Sequence, residues 1–285
     1  MALTCENSKL TLGVSECKKL PQLLKGFITT PLNYTITAAD ASSGSQWQTD
    51  ILLNESARIV LWPQWAMAYE NISEEQVIEE TPLTAIGVRP GQYRFRFQFR
   101  ENLELHKAMY SHRNSGGRVF LIDNENKIIG TSDDDGVTLK GLLLDNLLTE
   151  KMFFNDGSAV SKTPVGLYLG DNTDLDTRGF MIEGTSFVNS LLSLTSVKLE
   201  VIGVPTATEI TVSVKSSLDE IAIIGLDVAD FVVSEGTLSG VTEVNADGVY
   251  TLTGTAFATG TVDLVTAATL SIPGYESAGA VTVTI

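Results

Sequence analysis

The apolar pattern is clearest in residues 90–102, PGQYRFRFQFREN. Tyr93, Phe95, Phe97 and Phe99 alternate there with Arg94, Arg96, Gln98 and Arg100. A period of two is the mark of a β-strand with two unlike faces. The aromatic face belongs in a core. The basic face either meets carboxylates, supplied by a cross-strand neighbour or by another subunit, or is a solvated sheet face. Directly afterwards, ENLELHKAMYSHR sets Leu105, Ala108 and Met109 at i, i+3 and i+4. That spacing predicts a helix, with Asn102 as its N-cap. GRVFLID and KIIGTS read as two strands joined by a turn at Asn124-Glu125-Asn126. VTLKGLLL, KMFFNDG, KTPVGLYLG and GFMIEG read as further strand segments. Before residue 90, TAADASSGSQWQTD reads as a polar loop and Ala57 to Trp62 as a strand. ENISEEQVIEE reads as a long exposed excursion. Polar loops of such length in a compact domain need a partner or a function, so residues 38–50 and 70–91 are candidate intersubunit arms.

The chain changes character near residue 200. Beyond Ser196 only Lys198 and Lys215 are basic, and Val, Thr and Ala dominate in short alternating runs. Asp247-Gly248 is a hairpin signal between TEVN and VYTLTG. About seven short strands broken by regular turns suggest a small β-sandwich. No strand–helix–strand alternation runs through the chain, which argues against a parallel α/β fold. The expected architecture is mainly β. Residues 1–200 are expected to form a β-barrel or sandwich with one flanking α-helix, and residues 201–285 a small β-sandwich.

Charge narrows the partners. With 19 basic and 35 acidic residues the formal net charge is −16. Such a chain repels DNA, RNA and anionic lipid. No apolar run approaches the roughly 20 residues that span a bilayer, so no membrane partner is expected. The first residues lack the pattern of a secretory signal, which suggests folding in a cytoplasm. In that compartment Cys5 and Cys17 are expected as reduced thiols, the alternative being a bridge across a short hairpin.

Candidate chemistry is sparse. There is no phosphate loop, nucleophile elbow or dinucleotide fingerprint. His106 and His112 lie six residues apart, too far for one helical face. Asp133-Asp134-Asp135-Gly136 and Asp171 to Asp176 offer oxygen ligands for calcium. In the second, Arg178 and Thr185 occupy positions that an EF-hand gives to ligands, so ordinary turn chemistry is the simpler reading. Trp47, Trp62 and Trp65 suit core or interface anchors better than a sugar platform. No catalytic residue, metal site or cofactor is expected, and an enzyme is the least favoured class.

Two resemblances sharpen this picture. Asp230-Phe231, the run Asp247 to Leu252 and the closing Val281 to Ile285 resemble bacterial immunoglobulin-like modules over residues 204–285. The opening MALTCENSKLTLGVSECKKLPQLLKGFITT, with Cys5 and Cys17, resembles the entry segment of phage tail tube proteins. YRFRFQFRENLELHKAMYSH, GGRVFLIDNENKIIGTS and DDGVTLKGLLL resemble their tube core; residues 70–80 do not fit the pattern. The resemblance implies a virion structural protein, a major tail protein assembled in a host cytoplasm. It implies hexameric rings that stack into a tube through extended loops, with the C-terminal domain outside. Its partners are then itself, other virion proteins, and phage DNA passing during ejection without sequence-specific binding. An acidic wall suits such passage, because a basic wall would hold phosphates by counterion release. Arg94, Arg96 and Arg100, with the three tryptophans, become subunit-interface candidates. The alternatives are a capsid decoration, connector or collar protein, and a carbohydrate-binding adhesin.

Overall fold

The computed structural model describes residues 22–53, 57–62, 66–80, 85–89, 91–100, 103–133, 137–158, 160–171, 173–183, 185–243 and 245–285. The chain divides into two compact units, 1–51 with 55–191, and 52–54 with 192–285. Both are mainly β.

The first unit opens with β1 (Leu24–Thr30) and β2 (Ile36–Thr37), then α1 (Ala38–Ala41) and α2 (Gly44–Ile51). Four short strands follow: β3 (Val60–Leu61), β4 (Ala68–Asn71), β5 (Val77–Glu80) and β6 (Ala85–Arg89). Next come β7 (Arg94–Phe99), α3 (Leu103–Ser111), β8 (Gly117–Asp123), β9 (Ile128–Ser132), β10 (Thr138–Lys140) and β11 (Leu142–Thr149). The unit closes with β12 (Thr163–Leu169), α4 (Asp174–Arg178) and β13 (Gly179–Ile182).

β8 is the hub. One edge pairs with β1 along its length. The other pairs first with β11 at Gly117–Val119 and then with β9 at Leu121–Ile122. Two sheet branches therefore diverge from one strand, β11-β12-β7-β4 on one side and β9-β10-β2 on the other. Residues 138–149 run through both branches and turn at Gly141. A Cβ there would lie 2.7 Å from the Val119 nitrogen, closer than side chains tolerate. β8 is buried on both faces. Val119 and Leu121 join Phe27, Phe95, Phe97, Phe99, Leu147 and Leu167 in the main core. Phe120 faces the other way, edge-on to Trp47 at 5.2 Å and near Phe180 at 6.4 Å.

Several local expectations are met. The aromatic side of β7 is in the core. The turn at 124–126 forms, with Asn126 at a φ of 64°, and the buried Asp123 carboxylate accepts from the amides of Glu125 and Lys127. α3 buries Met109; its proposed cap, Asn102, lies outside the described residues.

Others are corrected. Residues 38–50 are not an extended arm but two short helices. Thr37 caps the first by accepting from the Asp40 amide at 3.2 Å. Trp47 and Ile51, one turn apart, are buried, and the Trp47 indole donates to the Ala41 carbonyl at 2.9 Å. Tyr34 donates to Asp50 at 2.6 Å, and burial followed by that bond drives the phenol's pKa upward. KMFFNDG is a loop held by a single bridge between Phe153 and Lys162. Asn155-Asp156-Gly157 explains why: Asn155 and Asp156 accept from the amides two residues on, which curls the chain out of the ladder.

The second unit holds β14 (Thr195–Ile202), β15 (Glu209–Ser216), β16 (Phe231–Val233), β17 (Thr237–Glu243), β18 (Val249–Thr255), β19 (Gly260–Leu264), β20 (Tyr275–Ser277) and β21 (Val281–Val283). A five-stranded sheet, β17-β18-β15-β14-β20, and a three-stranded one, β16-β19-β21, share one core. β17 and β18 form the hairpin around Asp247-Gly248, with Gly248 at a φ of 73°. The compositional shift at 200/201 falls inside β14. Val197 and Leu199, before that point, are buried in the second core, so the units part between 191 and 192.

Tyr250 ties this core together. It is fully buried, donates to the Ile223 carbonyl at 2.8 Å and accepts from the Leu226 amide at 3.2 Å. Burial is the main reason its phenol is pushed up to about 12. The unfolded chain releases this proton near pH 10, whereas the folded chain holds it to about pH 12. The stability contribution is therefore complete below pH 10 and is lost as pH rises through 12. Denaturant titration of the second unit between pH 9 and 12 is expected to show a falling midpoint, and Tyr250→Phe should flatten that fall.

Candidate assembly surface

The basic face of β7 is paired within the chain. In the sheet, Arg96 stands opposite Glu70 on β4 and opposite Gly166 on β12. Its guanidinium bonds Glu150, just past β11, and lies 3.9 Å from Glu70. Arg94 pairs with Glu74 at 2.8 Å, bonds the Gln92 side chain, and stacks over Tyr168 at 5.3 Å. Lys162 donates to Gln98 at 2.8 Å. The face is a ladder of alternating charge across three strands, which the cross-strand option anticipates. Arg100 is exposed at the strand end. Arg96→Glu would set a third carboxylate between Glu70 and Glu150. We expect it to lower first-unit stability by about 1–2 kcal/mol, discounted for partial exposure, with the loss shrinking in high salt. Chemical denaturation at two ionic strengths measures this.

Of the aromatic candidates, Trp47 and Trp62 are core residues. Trp62 packs on Phe27 at 5.0 Å and donates to Thr29. Neither is available as a surface anchor, because each ring is already buried in the first unit. Trp65, Cys5 and Cys17 lie outside the described residues. The histidines have separate roles: His106 bonds Thr163 at 3.0 Å, and His112 meets Trp62 edge-on at 5.7 Å. Asp171 is occupied by the amide and hydroxyl of Thr173, which hold its carboxyl below the usual range. Asp176 accepts from Tyr93, whose phenol is pushed up to about 12, chiefly by that bond. Asp134, Asp135 and Gly136 lie outside the described residues. Among the described residues no group of three or more His, Cys, Asp or Glu side chains could hold a metal ion.

The segment from β4 to β7 extends beyond the main sheet. These strands pair from Ala68–Gln98 to Asn71–Phe95. The ladder then runs on, with Ile72 donating to Arg94 and Glu74 to Gln92. Beyond that point, among the described residues, β5 and β6 pair only with each other, as a separate two-stranded sheet. β12, the other neighbour of β7, reaches no further than its bond from Leu169 to the Tyr93 carbonyl. One long hairpin therefore has its base in the sheet and its outer part past the sheet's end. Along this arm Val77 and Ile78 are exposed. At the opposite end of the same strands, the loop between β11 and β12 exposes Phe153 and Phe154. The sequence pattern shows the arm as an excursion, whereas KMFFNDG reads as a strand. The Asn-Asp-Gly turn directly after Phe154 was the available signal.

No family model matches the chain, and no curated protein matches its sequence.

Proposed function

We propose that this protein is a structural subunit that assembles with copies of itself. The form that fits best is a tube of stacked six-membered rings of the phage-tail kind, carrying an immunoglobulin-like C-terminal module on the outside. The observation that carries this reading is the arm formed by β5 and β6, a two-stranded ribbon outside the main sheet with apolar side chains in water. A lone hairpin is at best marginally stable, so such an arm makes physical sense when another molecule covers it. The paired charges of the β7 face leave self-association to strand edges, the arm and loops, which need no special side chains. A subunit of net charge −16 suits a conduit along which DNA slides without adhering.

Negative-stain electron microscopy of the purified chain over a concentration series tests this. Rings or hollow tubes bearing external knobs are expected, and the knobs should vanish when residues 192–285 are removed. A chain that stays monomeric at every concentration would overturn the reading.

A further inference from the structure

Lys25 stands at a break in the β1–β8 ladder. Leu24 faces Asp123 and Gly26 faces Ile122, so Lys25 is the extra residue of a β-bulge. A bulge re-aims a side chain, and here the amine turns toward the end of β8. Lys25 Nζ donates to the carboxamide oxygen of Asn126, and to that of Asn189 at 3.3 Å. Asn126 lies in the turn between β8 and β9, and Asn189 in a single 3-10 turn, Ser186–Ser190. Asp123, fully buried, is a carboxylate whose charge acts on the amine. Its Oδ1 is taken by the amides of Glu125 and Lys127, at 2.9 and 2.8 Å. Its Oδ2 accepts a longer bond, 3.3 Å, from the Gln22 amide.

These are the groups that amide exchange requires: a primary amine, a carboxamide, and a carboxyl that can carry protons. The carboxamide has a fixed base. Asn126 has a φ of 64°, its amide donates to the Asp123 carbonyl at 3.0 Å, and its own carbonyl accepts from the buried Thr185 hydroxyl. The Lys25 backbone is held as well, by a 2.7 Å bond from the Ala66 amide. An amine hydrogen-bonded to a carboxamide oxygen lies roughly 3–3.5 Å from its carbon, a near-attack separation. Burial lowers the pKa of the Lys25 amine, against the opposing charge of Asp123. A lowered pKa favours the neutral, nucleophilic amine. The turn uses Oδ1 of Asp123, and Oδ2 is the oxygen left for proton transfer.

We propose that Lys25 and Asn126 form an intramolecular isopeptide bond, with Asp123 carrying the protons. Lys25 begins as an ammonium and gives one proton to the Asp123 carboxylate. The freed lone pair attacks Asn126 Cγ. A second proton passes from the attacking nitrogen to Nδ2, the Cγ–Nδ2 bond breaks, and ammonia leaves, taking the first proton back from Asp123. No oxidant or reductant takes part. The product ties β1 covalently to the turn after β8, between residues 101 positions apart. It gives the first unit a self-made brace whether or not copies of the chain associate.

Mass spectrometry of the purified full-length chain tests this. Its intact mass, allowing for removal of Met1, is expected to fall short of the sequence mass by one ammonia. Lys25→Arg, which keeps the charge, should restore the full mass. A protease digest should give a branched peptide joining residues 25 and 126. A cyclic imide at an asparagine loses the same ammonia, but hydroxylamine opens it and leaves an isopeptide intact. Asp123→Asn keeps an acceptor for the turn amides and should slow linkage on the order of a hundredfold, with a native circular dichroism spectrum. Linkage at the native rate in that variant overturns the role of Asp123. A native chain of full mass overturns the proposal, as does a deficit that hydroxylamine removes, or a branch at Asn189 in place of Asn126.

Discussion

Phe97→Ala is expected to lower the stability of the first unit by about 3–5 kcal/mol, the largest effect of any single truncation considered. Phe97 is fully buried at the centre of β7. Its ring lies 5.0 Å from Phe27, 5.5 Å from Tyr69 and 6.4 Å from Phe99. The surrounding strands are fixed by ladders on both sides of β7, so the space cannot close by a backbone shift. The loss therefore includes the cavity as well as the transferred surface. Differential scanning calorimetry should show the first unit's transition falling by roughly 10 °C. The second unit's transition should stay in place, since its core shares no residue with the first. Phe97→Leu, which refills much of the volume, should recover more than half of the loss. A concerted fall of both transitions would mean that the two units do not unfold independently.

Asp230→Ala should unfold the second unit first. Asp230 is 1% exposed, at the end of the short turn that leads into β16. Its carboxylate accepts from the Asp227 amide at 2.8 Å, from the Ser271 amide at 2.7 Å and from the Ser271 hydroxyl. One side chain thereby closes a capping box and fastens residue 271 across the core, 41 positions away. Alanine would leave these donors buried without an acceptor, at a cost of about 3 kcal/mol or more. For a unit of this size the midpoint should fall by roughly 15 °C. Asp230→Asn keeps one acceptor but turns an NH2 group toward remaining donors, so it should fall between alanine and the native residue. A variant as stable as the native chain would show that water replaces the carboxylate, which the burial of this site argues against.

Local periodicity determined a good deal about this protein. The mainly β class, the aromatic core face of β7, the α3 helix, the Asn-Glu-Asn turn and the Asp247-Gly248 hairpin each follow from residues within about a dozen positions. Steric and hydrogen-bonding rules at that range need no knowledge of the rest of the chain. The arm, too, was visible as an acidic excursion flanked by strands. The partners of Arg94 and Arg96 were not. Glu70, Glu74 and Glu150 are found only once β4, β7, β12 and β11 are in register, and an acidic chain offers too many candidates for sequence to choose among them. Helices α1 and α2 were hidden because their polar composition outweighed one i, i+4 pair, Trp47 and Ile51. It is the Phe120 side of β8, assembled from strands far apart in sequence, that makes that pair worth burying. The divergence of two sheet branches from β8, the turn at Gly141 and the carboxylate of Asp230 joining residues 227 and 271 are decisions of tertiary structure for the same reason. Each depends on which distant backbones approach, and pairing energy between distant strands leaves no periodic trace in either strand alone. The opposite-end placement of the arm and the Phe153–Phe154 loop is of this kind: the residues are plain in the sequence, but only the strand register sets them facing away from each other.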